Sequence, residues 1–305
     1  MVSVLVLSWN HEKFIEQCLR SVINQTYKNI EIIFLDNNSA DDTFLIAESI
    51  LQQSGINYRA YKTNENFSIP RNFNFLFSKC HGEYICILSG DDWLHIRNIE
   101  QKLKAFADGA AVGMVDSIGY RYYDEIDVYE LIPLPAFVKK EDTVAELLKR
   151  NFISGIGCII RTDVIKAVGG WDETLLIDDS DMWIKIAMKY EIKVLEGPLF
   201  FYRQHVNGIS KNADFMYEGK MQLYHKYAHL NNHKEITLKN IKENYLSNKV
   251  RTGSSLSLAW KIIKNFKPNK FYTKLLIKSL LPVSFKRNYF LQSLKKNHPG
   301  KPILY

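Results

Sequence analysis

Asp91 and Asp92 stand side by side after Tyr84–Leu88, an apolar run of strand length that stops at Ser89-Gly90. Such a run reads as a strand buried on both faces in the middle of a parallel sheet. In open α/β sheets ligands sit beyond the carboxyl ends of the strands, which is where this pair emerges. Adjacent charges repel and are costly to desolvate unless a cation or hydrogen-bond donors neutralise them. The alternative is a solvated turn whose Asp residues start the next helix. A second cluster, Asp178-Asp179-Ser180-Asp181, precedes the stripe Met182, Trp183, Ile186 and Ala187, so it falls in or just before a first helical turn. One acid there serves as an ordinary helix cap, but three within four residues exceed what capping needs. The chemistry these residues suit is a divalent-metal site at Asp91 and Asp92, with a base drawn from Asp178, Asp179 or Asp181. Hard oxygen ligands suit Mg²⁺ or Mn²⁺. A metal so held bridges a diphosphate leaving group and neutralises the charge that grows as its bond breaks. The base needs an acceptor hydroxyl within hydrogen-bond reach.

Other chemistries lack their signatures. The chain has no Gly-x-x-x-x-Gly-Lys phosphate loop, no Gly-x-Ser-x-Gly elbow and no Gly-x-Gly-x-x-Gly fingerprint.

The elements that must position the carboxylates are legible in the first 117 residues. Strands are predicted at Val2–Leu7, Ile30–Leu35, Ile56–Tyr61, Tyr84–Leu88 and Ala111–Val115. Between them, Phe14/Ile15, Cys18/Leu19 and Val22/Ile23 recur at helical spacing. Further helices are predicted from Asp41-Asp42-Thr43, over Arg71–Cys80 behind Pro70, and near Asn98–Ala107. This alternation implies an α/β fold with a doubly wound sheet and right-handed crossovers. The strand ends Ser8-Trp9-Asn10, Asp36-Asn37-Asn38 and Ser89–Asp92 would then share one edge.

After Ser117 the alternation stops. Tyr120–Leu131 suits an extended, partly exposed segment, and Pro133 and Pro135 make a break. A helix over Glu141–Lys149, a strand over Gly155–Arg161, a short helix over Thr162–Val168 capped by Gly169-Gly170, and one or two strands over Lys193–Tyr202 follow.

The 305 residues have an ordinary globular composition, 46% hydrophobic and 24% charged. Cys18, Cys80, Cys86 and Cys158 show no metal or redox spacing, so buried free thiols in a reducing compartment are expected. No basic leader precedes the first strand and no apolar run reaches membrane-spanning length, so a cytoplasmic protein is expected. The net charge of +7 divides unevenly: residues 1–205 carry −8 and residues 206–305 carry +15. Helices are predicted at Tyr217–Tyr227, Ile236–Val250, Leu256–Phe266 and Phe271–Leu281, with lysines on their polar faces. That pattern suits either an anionic membrane surface, reached through residues 254–305, or a helical subdomain with a solvated basic face.

The ordered motifs resemble family 2 glycosyltransferases of the GT-A fold, from Val2 to about Ser210. They are Val2–Asn10 with Leu19–Thr26; Glu31–Ser39; Arg71-Asn72; Leu88–Asp92; Gly169–Glu173; Asp178–Trp183; and Tyr202–His205. The resemblance implies a mixed doubly wound sheet, with a catalytic domain over residues 1–210; the basic helical region over residues 211–305 lies outside it. Within the former, residues 1–117 would bind nucleotide and residues 118–210 acceptor. It implies inverting transfer of a sugar from a nucleotide-diphosphate donor, UDP-linked by expectation, to a saccharide hydroxyl. The preferred acceptor is polyprenyl-diphosphate-linked, at the inner membrane face, in surface-polysaccharide assembly.

By the same resemblance Asp36 contacts the nucleotide base, and Ser8, Asn10, Asn38, Arg71, Asp91 and Arg203 line the nucleotide-sugar site. Asp92 and His205 would hold Mn²⁺ or Mg²⁺, and Asp179 is the base with Asp181 as its alternative. Ser89 stands where relatives carry a first acid, Asn37-Asn38 replace a frequent Asp-Gly, and Asp178 replaces a Glu. Two other classes compete. One is a nucleotidyltransferase on a similar sheet; the other is a non-catalytic nucleic-acid-binding or membrane-binding protein that uses the tail, although no nucleic-acid partner is expected.

Overall fold

The structure, a computed structural model, describes residues 1–109, 111–133, 140–205, 208–252, 270–281 and 283–297. Four parallel strands, β1 (Val2–Ser8), β2 (Ile30–Asp36), β3 (Asn57–Lys62) and β4 (Tyr84–Ser89), lie in the order β3-β2-β1-β4. Helices α1 (Ile15–Ile23), α2 (Thr43–Gln52) and α3 (Ile69–Ser78) make the crossovers. The register puts Ser8 opposite Asp36 and Leu7 opposite Ser89, so the three predicted strand ends share one edge. Side chains alternate across the pleat. Val4, Val6, Ile32, Phe34, Cys86 and Leu88 pack with α1 and α2, whereas Leu5, Ile33, Leu35 and Ile85 face α3. Both sets are buried, which is why these strands read as continuous apolar runs. Each such side chain contributes about 1.5–3 kcal/mol on burial.

Beyond β4 the sheet becomes mixed and curls. Next come β5 (Trp93–Leu94), α4 (Asn98–Lys104), β6 (Val112–Tyr123), β7 (Val128–Leu131), α5 (Thr143–Lys149), β8 (Ile159–Arg161), α6 (Thr162–Ala167), α7 (Asp179–Ala187) and β9 (Glu191–Gln204). The order continues β4-β8-β6-β9-β5, with β8 antiparallel to both β4 and β6. Because β5 follows β4 within four residues yet pairs with the far side of β9, the carboxyl edge of β4 and the end of β9 are drawn together.

Tyr120–Leu131 is extended and partly exposed as expected: β6 runs on to Tyr123 and turns into β7, with Trp93, Tyr120 and Phe201 stacked across the strands. Lys193–Tyr202, expected as one or two strands, belongs to a single bulged strand that starts at Glu191. One expectation needs correction: Gly155 and Gly157 lie in a turn at φ +75° and +61°, and strand begins only at Ile159. A Cβ on Gly155 would lie 2.7 Å from the Trp183 ring, so glycine is required there. Buried Lys102 holds this turn. Its ammonium donates to Gly157 O at 2.8 Å and lies 3.8 Å from Asp116, whose Oδ2 accepts from the N–H groups of Ser154 and Gly155.

The C-terminal helices are α8 (Ala213–Lys226), α9 (Lys234–Thr252), α10 (Lys270–Leu280) and α11 (Val283–Asn297). Leu246, Val250 and Leu275 join α9 to α10. Arg287 pairs with Glu125 and the Phe290 ring meets Tyr123 at 5.8 Å, which docks α11 on the β6–β7 turn. The helix predicted over Leu256–Phe266 lies outside the described residues, as does Pro135. Among the described residues no helix is long and apolar enough to cross a membrane.

Candidate active site

Two loops follow β1 and β2 at the carboxyl edge. Asn10 and Asn38 take φ of +54° and +60°, the left-handed region that Asn tolerates. The side chain of Asn10 accepts from the N–H of Ala40 at 2.9 Å, and its own N–H donates to Ser39 Oγ at 2.8 Å. Asp36 is fully buried. Its Oδ1 accepts from the N–H of Ser39 at 2.7 Å, while Oδ2 has no partner among the described residues. A buried carboxylate oxygen left bare is costly unless a ligand donor meets it. Asn37 pairs both ways with the backbone of Phe67, and the exposed Arg71 guanidinium lies 3.7 Å over the Phe67 ring. Ser8 is buried and its Oγ lies 3.1 Å from His11 Nδ1.

The next strand end holds the strongest ligand set. His205 Nε2 lies 3.0 Å from Asp91 Oδ2, and His11 Nε2 lies 3.8 Å from the same oxygen. One donor atom from each of the three lies within 4.8 Å of the others. Burial opposes ionisation of Asp91, but the hydrogen bonds from His205 and Ser89 and the nearby His11 outweigh it and hold the carboxyl at about 2. Burial lowers His11 below the ordinary histidine range against the pull of Asp91, which favours the neutral imidazole a metal needs. Ser89 donates to Asp91 Oδ1 at 2.5 Å, so the departure from an acid there supplies a brace for the ligand. A Cβ on Gly90 would collide with Ser8 and lie 3.0 Å from His11 Nδ1. Two imidazoles and one ionised carboxylate fit a divalent transition ion better than Mg²⁺.

Asp92 and Arg203 are both engaged within the protein. Asp92 is 3% exposed, and its Oδ1 accepts from the N–H of Arg203 at 2.9 Å. Burial and the adjacent Asp91 charge push Asp92 well above the carboxylate range. Arg203 is 6% exposed. Its guanidinium donates to Asp91 O at 3.0 Å, to Asp124 at 2.5 Å and to Gln17, between the rings of Phe14, Trp93 and Tyr122. These contacts hold the end of β9 against the end of β4.

The second carboxylate cluster lies at the start of α7. That helix hands the chain to the amino end of β9, where Glu191 sits opposite Val112, so its own N-terminus points to the carboxyl edge. Asp179 Oδ1 accepts from the N–H and Oγ of Ser180, while Oδ2 carries no hydrogen bond among the described residues. Burial raises Asp179, with Ser180 and the cationic Lys220 pulling it back. Burial, reinforced by Asp179, pushes Asp178 up to about 7. Asp181 is 1% exposed and committed elsewhere. Its Oδ1 accepts from Tyr227 and Lys226, both at 2.6 Å, and Lys185 lies 3.2 Å from Oδ2. That network ties α7 to α8.

Two residues escaped the sequence reading. His11 closes the polar run after β1, and that position was its only signal. Lys220 faces Asp179 from α8, a long-range placement with no local signature.

The comparisons with known proteins agree with this architecture. The profile of glycosyl transferase family 2 matches residues 3–169. An uncharacterized glycosyltransferase of Rickettsia typhi is 27% identical over 189 residues, 61% of this chain and 58% of that protein. The glycosyltransferase GlyG of Streptococcus pneumoniae is 24% identical over 223 residues, 69% of this chain and 73% of that protein. Among solved structures, Staphylococcus aureus TarS 1–349 in complex with UDP-GlcNAc superposes with a TM-score of 0.60 at 16% identity, covering 96% of this chain and 89% of TarS 1–349. The mannosyltransferase PcManGT of Pyrobaculum calidifontis, in complex with GDP-Man and Mn²⁺, gives 0.56 at 16% identity, covering 98% and 88%. At such identities the structural likeness speaks for the shared fold.

Proposed function

The chain belongs to glycosyl transferase family 2, and from that premise we propose that it moves a hexose-type sugar, with inversion, from a UDP-linked donor to a saccharide hydroxyl. The observation that carries this reading is the His11, Asp91 and His205 cluster beside the bare Asp36 oxygen on one sheet edge. Asp36 Oδ2 would accept from the imide N–H of the base, and Asn10 and Asn38 shape the loops around it. His11, Asp91 and His205 would hold Mn²⁺, which supplies charge neutralisation at the diphosphate. Arg71, exposed at the same edge, is free to reach the phosphates. Asp179 Oδ2 would take the proton from the acceptor hydroxyl as that oxygen attacks the anomeric carbon and UDP departs. Lys220 favours the ionised base, and Asp178 beside it tunes the pH at which the base is available.

The acceptor proposed is lipid-diphosphate-linked, at a membrane surface met by the basic tail. Support comes from Ile277, Leu280 and Tyr289, exposed among lysines on α10 and α11. The test combines a panel of UDP-sugars, Mn²⁺ and a polyprenyl-diphosphate sugar acceptor, with UDP release and product measured. Loss of turnover in Asp91→Asn and Asp179→Asn at unchanged melting temperature is expected. Failure of every UDP-sugar to bind, or full activity in both variants, would overturn the mechanism. Vesicle flotation of the full chain against a chain lacking residues 254–305 checks the surface attachment, and equal flotation would count against it.

A further inference from the structure

A pocket of about 300 Å³ opens between α5, α7, α8 and α9, in a part of the molecule that the donor site does not use. Its lining is rich in amides. Asn240, Asn244 and Asn248 recur every fourth residue of α9 and so share one helix face, and Asn151 joins them from the segment after α5. Asn is a poor helix former, so a ladder of three weakens α9 rather than supporting it. The exposed amide of Asn244 makes no hydrogen bond among the described residues. Tyr224 adds a half-buried ring, Lys149, Arg150 and Lys220 add cations, and among the described residues no carboxylate lines the cavity. Amides both donate and accept, which matches the alternating needs of sugar hydroxyls, and an aromatic face packs on the apolar side of a sugar ring. The volume is at the lower end for small-molecule sites, about 300–1,000 Å³.

The pocket is joined to the base. Asn151 Nδ2 donates to Ser180 Oγ at 3.2 Å, and Ser180 Oγ donates to Asp179 Oδ1 at 3.1 Å. Ser180 and Lys220 therefore belong to both the pocket wall and the surroundings of Asp179. We propose that this pocket is a saccharide subsite, which holds the acceptor's sugar unit next to the one whose hydroxyl reacts. The inference rests on the transferase reading above and deepens it by saying where acceptor length is read.

The test is saturation-transfer NMR on the full chain, with glucose, N-acetylglucosamine and glucuronic acid as separate probes. Saturating UDP and Mn²⁺ are present, so that the donor site is filled. At least one sugar is expected to receive saturation from the wild type, with the signal falling at least five-fold in Asn244→Trp, which fills the cavity, and in Tyr224→Ala, which removes the ring. UDP binding and melting temperature should stay unchanged in both. Undiminished sugar signal in both variants, or no signal from any of the three sugars in the wild type, overturns the subsite. Absence of UDP binding in the wild type would instead overturn the donor reading, so the two failures are separable.

Discussion

The backbone N–H of Arg203 donates to Asp92 Oδ1 at 2.9 Å, while the side chain of Arg203 donates to the carbonyl of Asp91 at 3.0 Å. The end of β9 is thereby clamped to the end of β4, and His205, two residues further on, is delivered to Asp91. At the proposed metal site, Asp92 would be a fastener and Asp91 the ligand.

The two acids should therefore separate on mutation. Asp91→Asn is expected to weaken Mn²⁺ binding by at least about 100-fold, since it removes the charged ligand. Asp92→Asn keeps an oxygen for the Arg203 N–H and should retain Mn²⁺ binding within about ten-fold. Titration of free Mn²⁺ by electron paramagnetic resonance measures both. The opposite ranking would restore Asp92 as the ligand.

Asp36→Asn should weaken UDP binding by about ten-fold or more, the worth of one charge-assisted hydrogen bond. The melting temperature should hold, because Oδ1 keeps its bond from Ser39. Calorimetric titration with UDP decides the point, and unchanged affinity would remove Asp36 from the base pocket.

Turnover should fall on the acid side as the Asp178–Asp179 pair takes up a proton, with a limb near the value of about 7 seen for Asp178. Asp178→Asn relieves the repulsion within the pair and should move that limb to lower pH. The stability sign follows from linkage. Asp178 binds its proton more tightly folded than unfolded, so its contribution is fully present below the ordinary carboxylate range and is lost as pH rises to about 7. Pairing a pH–rate profile with urea midpoints at several pH values tests both limbs.

Asp181→Asn should act on stability. Removing one partner of a buried ion pair costs about 3–5 kcal/mol; here Lys185 and Tyr227 lose their acid, while Lys226 keeps Asp172 at 2.7 Å. Turnover per folded molecule should survive. Loss of turnover at full melting temperature would return Asp181 to candidacy as the base.

Gly155→Ala is expected to destabilise by about 3 kcal/mol, from strain at positive φ and from contact with the Trp183 ring. Denaturant unfolding measures it, and a change below 1 kcal/mol would show that the turn relaxes freely.

What could be foreseen follows from the range of the forces involved. Val2–Leu7, Ile30–Leu35 and Tyr84–Leu88 declare themselves because burial on both faces makes a strand apolar at every position. The three strand ends could therefore be aligned before any coordinates. The choice between Asp91 and Asp92 could not, because it turns on β9 arriving from over a hundred residues away to occupy one of them. The same holds for Asp181, whose neighbours Lys226 and Tyr227 sit on another helix, and for Lys220 beside Asp179. The β6–β7 hairpin is not legible as strand pairing because Tyr120 and Tyr122 also meet Phe201 of β9 and Trp93 of β5, far away in sequence.

The docking of α11 on the β6–β7 turn reaches further than its own contacts. Arg287 grips Glu125, and the next residue back, Asp124, holds the guanidinium that clamps β9 to Asp91. A pull on the tail, such as adhesion of its lysines to a charged sheet of lipid, would load this lever directly. In the proposed transferase the ion's affinity would then report mechanical engagement of the tail, and the last helix would transmit as well as anchor.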